Sequence, residues 1–190
     1  MQIYTNWQTW AEVDAELADL TPVAQAAQRW HGDQLRPTGV PYVEHLLEAL
    51  EVLVHGAGVT DRAVLGATLL HDTVEDTAAT MADIERDFGP WVAELVDWVT
   101  KPAGAGASRT AKRAAKAAYL RRLREAPPEA ILVKLADRVS NVQRLHQMPP
   151  DFQRRYYAET VTYILPLAAG VPFFEEWYER WRREYASILG

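Results

Sequence analysis

The sequence predicts an all-α fold, and three observations support this. Apolar residues recur at the three- and four-residue spacing of helix faces along nearly the whole chain. No segment shows the alternation of a half-buried strand, and there is no internal repeat. Prolines and glycines fall between the apolar segments, where helices begin and end. The 190 residues are enough for one domain with its own core.

In the first half of the chain, helix boundaries can be read from the residues that cap helices. Thr21 followed by Pro22 is typical of a helix start, and Gly56 with Gly58 is typical of an end. Asp61 can cap the helix that comes next. The helices predicted in this half span about 21–34, 43–54, 61–76, 80–88 and 90–99, with a loop over 36–42.

In the second half, pairs of prolines separate the helices. Pro127-Pro128 and Pro149-Pro150 cannot continue a helix that precedes them. The segment 101–110 is rich in glycine, alanine and serine, so we expect it to be mobile. The helices predicted here span about 111–126, 129–148, 151–169 and 172–189.

These elements suggest three parts along the chain. Residues 1–20 would form an N-terminal extension, residues 21–170 the main domain, and residues 171–190 a C-terminal helix packed on that domain. Phe173, Trp177 and Trp181 recur every four residues and form an apolar stripe on this last helix. We expect the stripe to pack on the domain, with a contact in a homodimer as the alternative.

Composition excludes several classes of protein. The chain has no cysteine, which excludes disulfides and thiolate metal ligands. Its formal net charge of −6 disfavours a dedicated nucleic-acid binder. The first ten residues do not resemble a signal peptide, and no stretch approaches the ~20 apolar residues of a membrane span. We therefore expect a cytoplasmic protein that binds neither nucleic acid nor membrane.

The segment from His71 to Asp76 carries the strongest sign of chemistry. It holds His71, Asp72, Glu75 and Asp76 directly after an apolar helix. On a continuous helix these four side chains would fall within an arc of about 140°. Three carboxylates so close together repel one another, and a divalent cation would relieve that repulsion. A solvated helix end with scattered charges is the simpler alternative, and the apolar run before His71 argues against it.

Two further positions could contribute to the same site. Asp137 interrupts an apolar run that should be buried, and Asn141 lies one turn later on the same helix face. A buried carboxylate needs a partner, which could be a metal ion or a salt bridge to Lys134 or Arg138. His45 follows a stiff loop near a helix start and is uninformative by itself.

Taken in order, these motifs resemble the hydrolase domain of the RelA/SpoT family. The resemblance covers roughly residues 21–170 and includes the single-domain members of the family, the small alarmone hydrolases, with the metazoan SpoT homologues among them. The motifs that carry it are His31-x-x-Gln34-x-Arg36, Pro41-Tyr42-x-x-His45, His71-Asp72-x-x-Glu75-Asp76, Phe88-Gly89, Lys134-Leu135-Ala136-Asp137-Arg138-x-x-Asn141, and Ala158-Glu159-Thr160.

The resemblance implies an HD-domain helical bundle that works with a metal. By analogy with the family, Mn²⁺ would be held by His45, His71, Asp72 and Asp137. The implied reaction removes the 3′-diphosphate of guanosine tetra- or pentaphosphate and gives GDP or GTP plus pyrophosphate. Such a set of nitrogen and carboxylate ligands is suited to Mn²⁺.

The resemblance also implies roles for residues around the metal. Glu75 and Asp76 would position and deprotonate the attacking water. Arg36 would stack on the purine of a small-molecule nucleotide, and Asn141 would contact that nucleotide. Lys101 borders the segment predicted to be mobile and could close on phosphates, although an exposed basic residue is an equally simple interpretation.

Three positions depart from the family pattern. Leu46 stands where the family usually has proline, Ser140 where it often has a bulkier His or Tyr, and Arg144 where it commonly has a small or acidic residue. If Arg144 points into the cleft, it could add a phosphate contact. An adenosine alarmone or NADPH therefore remains an alternative substrate. A non-catalytic nucleotide sensor is a third hypothesis, and the intact set of site residues argues against it.

Overall fold

The computed structural model describes residues 7, 15–102 and 108–189 of the chain. Over these residues the prediction of an all-α fold is confirmed, because they form helices joined by turns. The only strand-like pairing among them is an isolated antiparallel bridge between Leu35 and Pro41. Part of the segment predicted to be mobile, 103–107, lies outside the described residues.

Ten α-helices lie in the described ranges. They are α1 (Thr21–His31), α2 (Val43–Glu51), α3 (Arg62–Leu70), α4 (Thr73–Asp76), α5 (Met81–Phe88), α6 (Pro90–Val99), α7 (Arg109–Arg122), α8 (Pro128–Val142), α9 (Pro150–Glu159) and α10 (Pro172–Glu184). Each predicted helix has a counterpart, and the one expected over 61–76 is divided into α3 and α4.

Local chemistry explains where several helices begin and end. The Asp61 carboxylate accepts hydrogen bonds from the backbone N–H groups of Ala63 and Val64, which caps α3 as expected. Helix α1 ends earlier than predicted because Gly32 takes a positive φ of 51°. Helix α2 passes into a wider π-helical turn over Val52–Gly56.

The core is centred on α3, which packs against α1, α2, α6 and α8. Every residue of α3 from Val64 to Leu70 is buried, because neighbours cover it on all sides. Each large apolar side chain that is fully buried there contributes roughly 1.5–3 kcal/mol. Polar groups placed directly after Leu70 therefore lie inside the protein.

Helix α10 packs on α8 through both apolar and polar contacts. Phe174 and Tyr178 are fully buried, and the Tyr178 hydroxyl donates to the Leu135 carbonyl at 2.7 Å. The Trp181 indole N–H donates to the Val142 carbonyl at 3.0 Å. These bonds attach the C-terminal helix to the helix that carries Asp137. Among the described residues, no helix combines the length and the apolar character needed to cross a membrane.

Candidate active site

Four side chains from three parts of the chain meet at one point in the interior. One possible ligand atom from each of His45, His71, Asp72 and Asp137 lies within 4.8 Å of the others. The Nε2 atoms of His45 and His71 are 3.0 Å apart, and Asp72 Oδ2 lies 3.2 and 3.1 Å from them, respectively. Asp137 Oδ1 lies 3.4 and 3.6 Å from the same two nitrogens. We call these four residues the His/Asp cluster.

The continuous helix predicted through this region is wrong. Helix α3 ends at Leu70, and Asp72 takes φ −100° and ψ −3°, outside the regular helical values. The imidazole of His71 turns back and its Nδ1 lies 2.7 Å from the Thr68 carbonyl. As a result His71 and Asp72 point into the cluster, while Glu75 and Asp76 follow on the separate short helix α4.

Hydrogen bonds leave one nitrogen of each imidazole facing the cluster. A carbonyl can only accept, so His71 Nδ1 must carry the proton that it shares with Thr68. The other nitrogen, Nε2, then has a lone pair when the ring is neutral. His45 has the same orientation, because its Nδ1 forms a hydrogen bond with the Ser140 hydroxyl at 2.7 Å and its Nε2 is left facing the cluster. Both rings therefore present Nε2 to the two carboxylates.

The pKa values reflect the charge collected at this point. Burial by itself disfavours a charged His71, but the carboxylates of Asp72 and Asp137 outweigh it and raise the pKa of His71 well above its usual value. Burial also opposes ionisation of the two aspartates. At Asp72, His71 and His45 outweigh the effect of burial. At Asp137, Lys134 outweighs it together with the same two histidines. The pKa values of both carboxyl groups therefore lie well below the usual range. Two ionised carboxylates thus attract a cation to this site.

Asp137 satisfies both of the partner hypotheses raised by its burial. Its Oδ2 pairs with the buried Lys134 ammonium at 2.7 Å, and its Oδ1 faces the histidines. The Asn141 amide also donates to Oδ1 and to the Asp137 carbonyl. Arg138 turns the other way, towards Thr160 and Glu159. A salt bridge to Lys134 and a place in the cluster therefore exist together.

Tyr42 and His31 form a wall of the site; His31 had been expected only as a structural or supporting residue, and no role had been expected for Tyr42. The Tyr42 hydroxyl donates to Asp72 Oδ2 at 2.5 Å, and its ring stacks on that of His31 at 4.7 Å. Burial and the nearby Asp72 charge raise the pKa of Tyr42, so the hydroxyl keeps its proton. The sequence offered one indication of these roles, because His31 and Tyr42 both belong to the motifs that carry the family resemblance.

Glu75 is held by Lys101 from two directions. Its Oε2 lies 2.8 Å from the Lys101 ammonium, and its Oε1 accepts from the Lys101 backbone N–H at 2.6 Å. Burial and Lys134 oppose the charge on Lys101, but Glu75 and Asp137 outweigh them and raise its pKa. The ammonium expected to meet phosphates thus lies on a carboxylate in this structure.

Asp76 is held more loosely than Glu75. Its Oδ2 accepts from the Gln34 amide at 3.4 Å, and the Gln34 carbonyl oxygen lies 2.7 Å from His31 Nδ1. The His31 ring stacks on Tyr42, which donates to Asp72, so Asp76 is connected to the cluster through these side chains. Asp76 therefore retains acceptor capacity beside the cluster.

A small cavity of about 180 Å³ opens next to the cluster between the 36–42 loop and the end of α8. Three residues expected to bind substrate, Arg36, Asn141 and Arg144, line it. It is smaller than most ligand pockets, so it suits one part of a ligand, such as a ring. The remaining lining residues are Thr38, Val40, Ser140, Gln147 and Met148.

The His/Asp cluster fits a divalent cation by the chemistry of its donors. Two imidazole nitrogens and two ionised carboxylates form a set without thiolates, which suits a hard or borderline divalent metal. Each histidine is oriented by a bond from its other nitrogen, as metal-binding histidines usually are. His45, His71, Asp72 and Asp137 are thus the residues that could hold such a metal.

Comparisons with known proteins agree with this geometry. A family model described as an HD domain matches residues 23–171. The human guanosine-3′,5′-bis(diphosphate) 3′-pyrophosphohydrolase MESH1 is 39% identical over 139 residues, which cover 72% of this chain and 75% of that protein. A solved structure, described as a metazoan orthologue of SpoT that hydrolyses ppGpp, superimposes with a TM-score of 0.77 at 28% identity and covers 88% of this chain and 95% of its own.

A longer relative is similar over the same region only. The GTP pyrophosphokinase rsh of Brucella ovis is 39% identical over 145 residues, which cover 75% of this chain but 19% of that protein. Its name therefore describes a protein that is mostly outside the matched region. The extent of the HD-domain match and the similarity to MESH1 establish that the chain belongs to the HD-domain family, in the branch of the RelA/SpoT hydrolase domains and the metazoan SpoT orthologues.

Proposed function

We propose that the protein is a metal-dependent hydrolase that removes the 3′-diphosphate from guanosine tetra- or pentaphosphate. The products would be GDP or GTP and pyrophosphate. Two kinds of evidence support this proposal. The relatives similar over most of their length are named as 3′-pyrophosphohydrolases or described as hydrolysing ppGpp. The residues that such a reaction needs lie together in this chain.

The observation that carries the proposal is the His/Asp cluster with two further carboxylates beside it. His45, His71, Asp72 and Asp137 would hold the metal, for which Mn²⁺ is our specific candidate. When bound, a divalent cation lowers the pKa of a water molecule and polarises a phosphoryl oxygen. A binding protein without catalysis would not require Glu75 and Asp76 in addition.

The residues around the cluster divide the work of the reaction. Water would add to the phosphorus attached to the 3′ oxygen, and the bond between these two atoms would break. Asp76, with its loosely held carboxylate, is suited to accept the proton of the water. The Gln34 amide would orient the Asp76 carboxylate. Glu75, fixed by Lys101, is suited to position that water. The departing 3′ oxygen takes up a proton and leaves as a hydroxyl group.

Arg36 and Asn141 would place the nucleotide at the cavity. The Arg36 guanidinium is fixed by Glu48 at 2.8 Å and by the Ser140 carbonyl at 3.4 Å, so a planar group faces the cavity. A guanidinium plane is a good surface for a purine ring to stack on. Asn141 lines the same cavity and also contacts Asp137, which connects the nucleotide to the cluster.

A second candidate is the same reaction type on another nucleotide, such as an adenosine alarmone or NADPH. One observation favours keeping it: Arg144, a departure from the family pattern, lines the cavity and pairs with Glu48. A cation there could change which base or phosphate is accepted. In either case the ligand is a small nucleotide. A cytoplasmic location and a homodimer remain predictions.

The test is turnover of a nucleotide panel by the purified protein with added Mn²⁺, with and without EDTA. The panel contains ppGpp, pppGpp, ppApp and NADPH. Release of pyrophosphate from ppGpp that EDTA abolishes is the expected result. Turnover of ppApp or NADPH alone would keep the metal site but change the substrate. No turnover of any member by metal-loaded protein would contradict the proposal and favour a sensor.

A further inference from the structure

Glu48 is a buried carboxylate that connects the metal-binding side of the site with the nucleotide side. Its side chain is only 2% exposed, and it lies three residues after His45 on the same face of α2. Arg36 pairs with its Oε2 at 2.8 Å, and Arg144 pairs with its Oε1. Two guanidinium groups thus balance one carboxylate, which explains how the charge is tolerated in the interior.

The Ser140 hydroxyl lies between Glu48 and His45. Its oxygen is 2.6 Å from Glu48 Oε2 and 2.7 Å from His45 Nδ1. A carboxylate paired with two guanidinium groups can only accept, so the single hydroxyl proton must point to Glu48. The other available acceptor, the His45 carbonyl, is farther away at 3.5 Å.

These roles determine the form of the His45 ring. Because the Ser140 hydroxyl gives its proton to Glu48, its oxygen is left to accept the proton on His45 Nδ1. Nδ1 therefore carries the proton and Nε2 has its lone pair towards His71, Asp72 and Asp137. The chain of bonds joins α2 to α8, so it also fixes the orientation of the ring relative to Asp137.

We infer that Glu48 and Ser140 are positioning residues for the metal ligand His45. Glu48 acts through Ser140, and the pair holds the His45 ring in the tautomer and orientation that a metal requires. Ser140 stands where the family often has a bulkier His or Tyr. The inference rests on the metal site of the proposed function, but it concerns binding of the metal alone.

The experiment measures the affinity of the metal-free protein for Mn²⁺ by titration calorimetry, without nucleotide. Ser140→Ala and Glu48→Ala should each weaken Mn²⁺ binding at least about tenfold, as loss of such a supporting bond commonly does. Glu48→Gln keeps an amide oxygen that can accept from Ser140, and it should restore affinity to within about threefold of the wild type.

A double variant separates a linked pair from two independent structural effects. If Glu48 acts through Ser140, the protein that carries both Ser140→Ala and Glu48→Ala should have the same Mn²⁺ affinity as the single variant with the lower affinity. Effects that multiply to about a hundredfold would overturn the inference, because they would show independent actions. Wild-type affinity in Ser140→Ala would overturn it as well.

The control is Glu51→Gln, the same change on the same helix at a residue that pairs with His55 instead. Its Mn²⁺ affinity should equal that of the wild type. If Glu48→Ala does not fold, Ser140→Ala and Glu48→Gln still decide the question. Because no substrate is added, the result can be read even if the nucleotide panel gives no turnover.

Discussion

Lys101 and Glu75 form a pair in which one residue binds both oxygens of the other. The backbone N–H of Lys101 donates to Oε1 at 2.6 Å, and its ammonium lies 2.8 Å from Oε2. Lys101 lies two residues after the end of α6, at the edge of the segment that we expected to be mobile. The pair therefore fixes a carboxylate of the site to a residue outside its own helix.

The first prediction concerns Lys101→Met. This change removes the ammonium and leaves the backbone bond, so Glu75 should lose part of its orientation. We expect kcat to fall about tenfold with little change in KM, since loss of positioning acts on the reacting geometry. A raised KM with unchanged kcat, measured on the best substrate of the panel, would instead show that Lys101 mainly binds phosphate.

The second prediction separates catalysis from metal binding. Glu75→Gln and Asp76→Asn remove carboxylates that lie beside the His/Asp cluster but are not part of it. Each should lower kcat by at least about a hundredfold, the range for loss of a general base or a water-positioning group. Mn²⁺ affinity should stay within about threefold of the wild type, because the four ligands remain. Substantial turnover in both variants would refute the proposed roles of these carboxylates.

The matched comparison is His71→Ala, which removes a ligand of the cluster itself. Here calorimetry should detect little or no Mn²⁺ binding, and activity should be lost as a consequence. The two classes of variant therefore lose activity for different reasons. Equal Mn²⁺ affinity in His71→Ala and the wild type would place the metal elsewhere.

The third prediction concerns pH. The raised pKa of His71 means that the metal-free protein keeps a proton on this ring to a higher pH than an ordinary histidine would. A metal ligand must be deprotonated, so Mn²⁺ binding should release a proton from His71 wherever the metal-free protein still holds one. Affinity should accordingly fall as the pH falls, by about tenfold per unit below the pKa of His71. Asp72 and Asp137 should not contribute to this proton release, because their lowered pKa values keep both carboxyl groups ionised at neutral pH.

Calorimetry in buffers with different ionisation enthalpies counts the released protons. Binding without proton release would contradict the third prediction. The stability of the metal-free protein should change with pH in the opposite direction to its Mn²⁺ affinity. Protonated His71 stabilises the metal-free fold at low pH, and this contribution is lost as the pH rises through the raised pKa of His71. Melting temperatures of the metal-free protein, measured across this range, should therefore show the loss.

The fourth prediction tests how tightly the C-terminal helix packs against Gly56 through Phe173. A Cβ atom added at Gly56 would lie 2.4 Å from Cζ of the Phe173 ring, so Gly56→Ala must displace this ring. We expect a destabilisation of about 1–3 kcal/mol, typical of overpacking. A fall in Tm of several degrees would report it. Adding Phe173→Leu, which shortens the side chain, should recover part of the loss, and no recovery would show that the ring is not the cause.

Much of the site could be predicted from the chain because its ligands interrupt apolar runs. His71 and Asp137 stand in or directly after apolar runs and are buried, and buried polar groups need partners. The helical fold followed from spacing and from proline and glycine positions in the same way. Helix ends were less accurate, as at Gly56, where a π-helical turn replaces a regular end.

Other features could not be predicted, because they depend on residues far apart in sequence. The turn at His71 and Asp72 arises from a side-chain bond to Thr68 that helix periodicity does not contain. Glu48 looks like an ordinary charge on an amphipathic helix, and only the packing of α2 on α8 shows it beside Ser140. The partner of Lys101 is likewise visible only in the fold, which brings the residues after α6 to Glu75.

The four residues of the His/Asp cluster come from α2, from the end of α3 and from the middle of α8. A cation held by all of them therefore ties together distant stretches of the polypeptide and adds to the hydrogen bonds and packing that already join them. A ligand that binds the folded form alone, at a hundred times its Kd, stabilises it by about 2.7 kcal/mol. The supply of divalent metal would then govern how long each molecule survives proteolysis, as well as how fast it works.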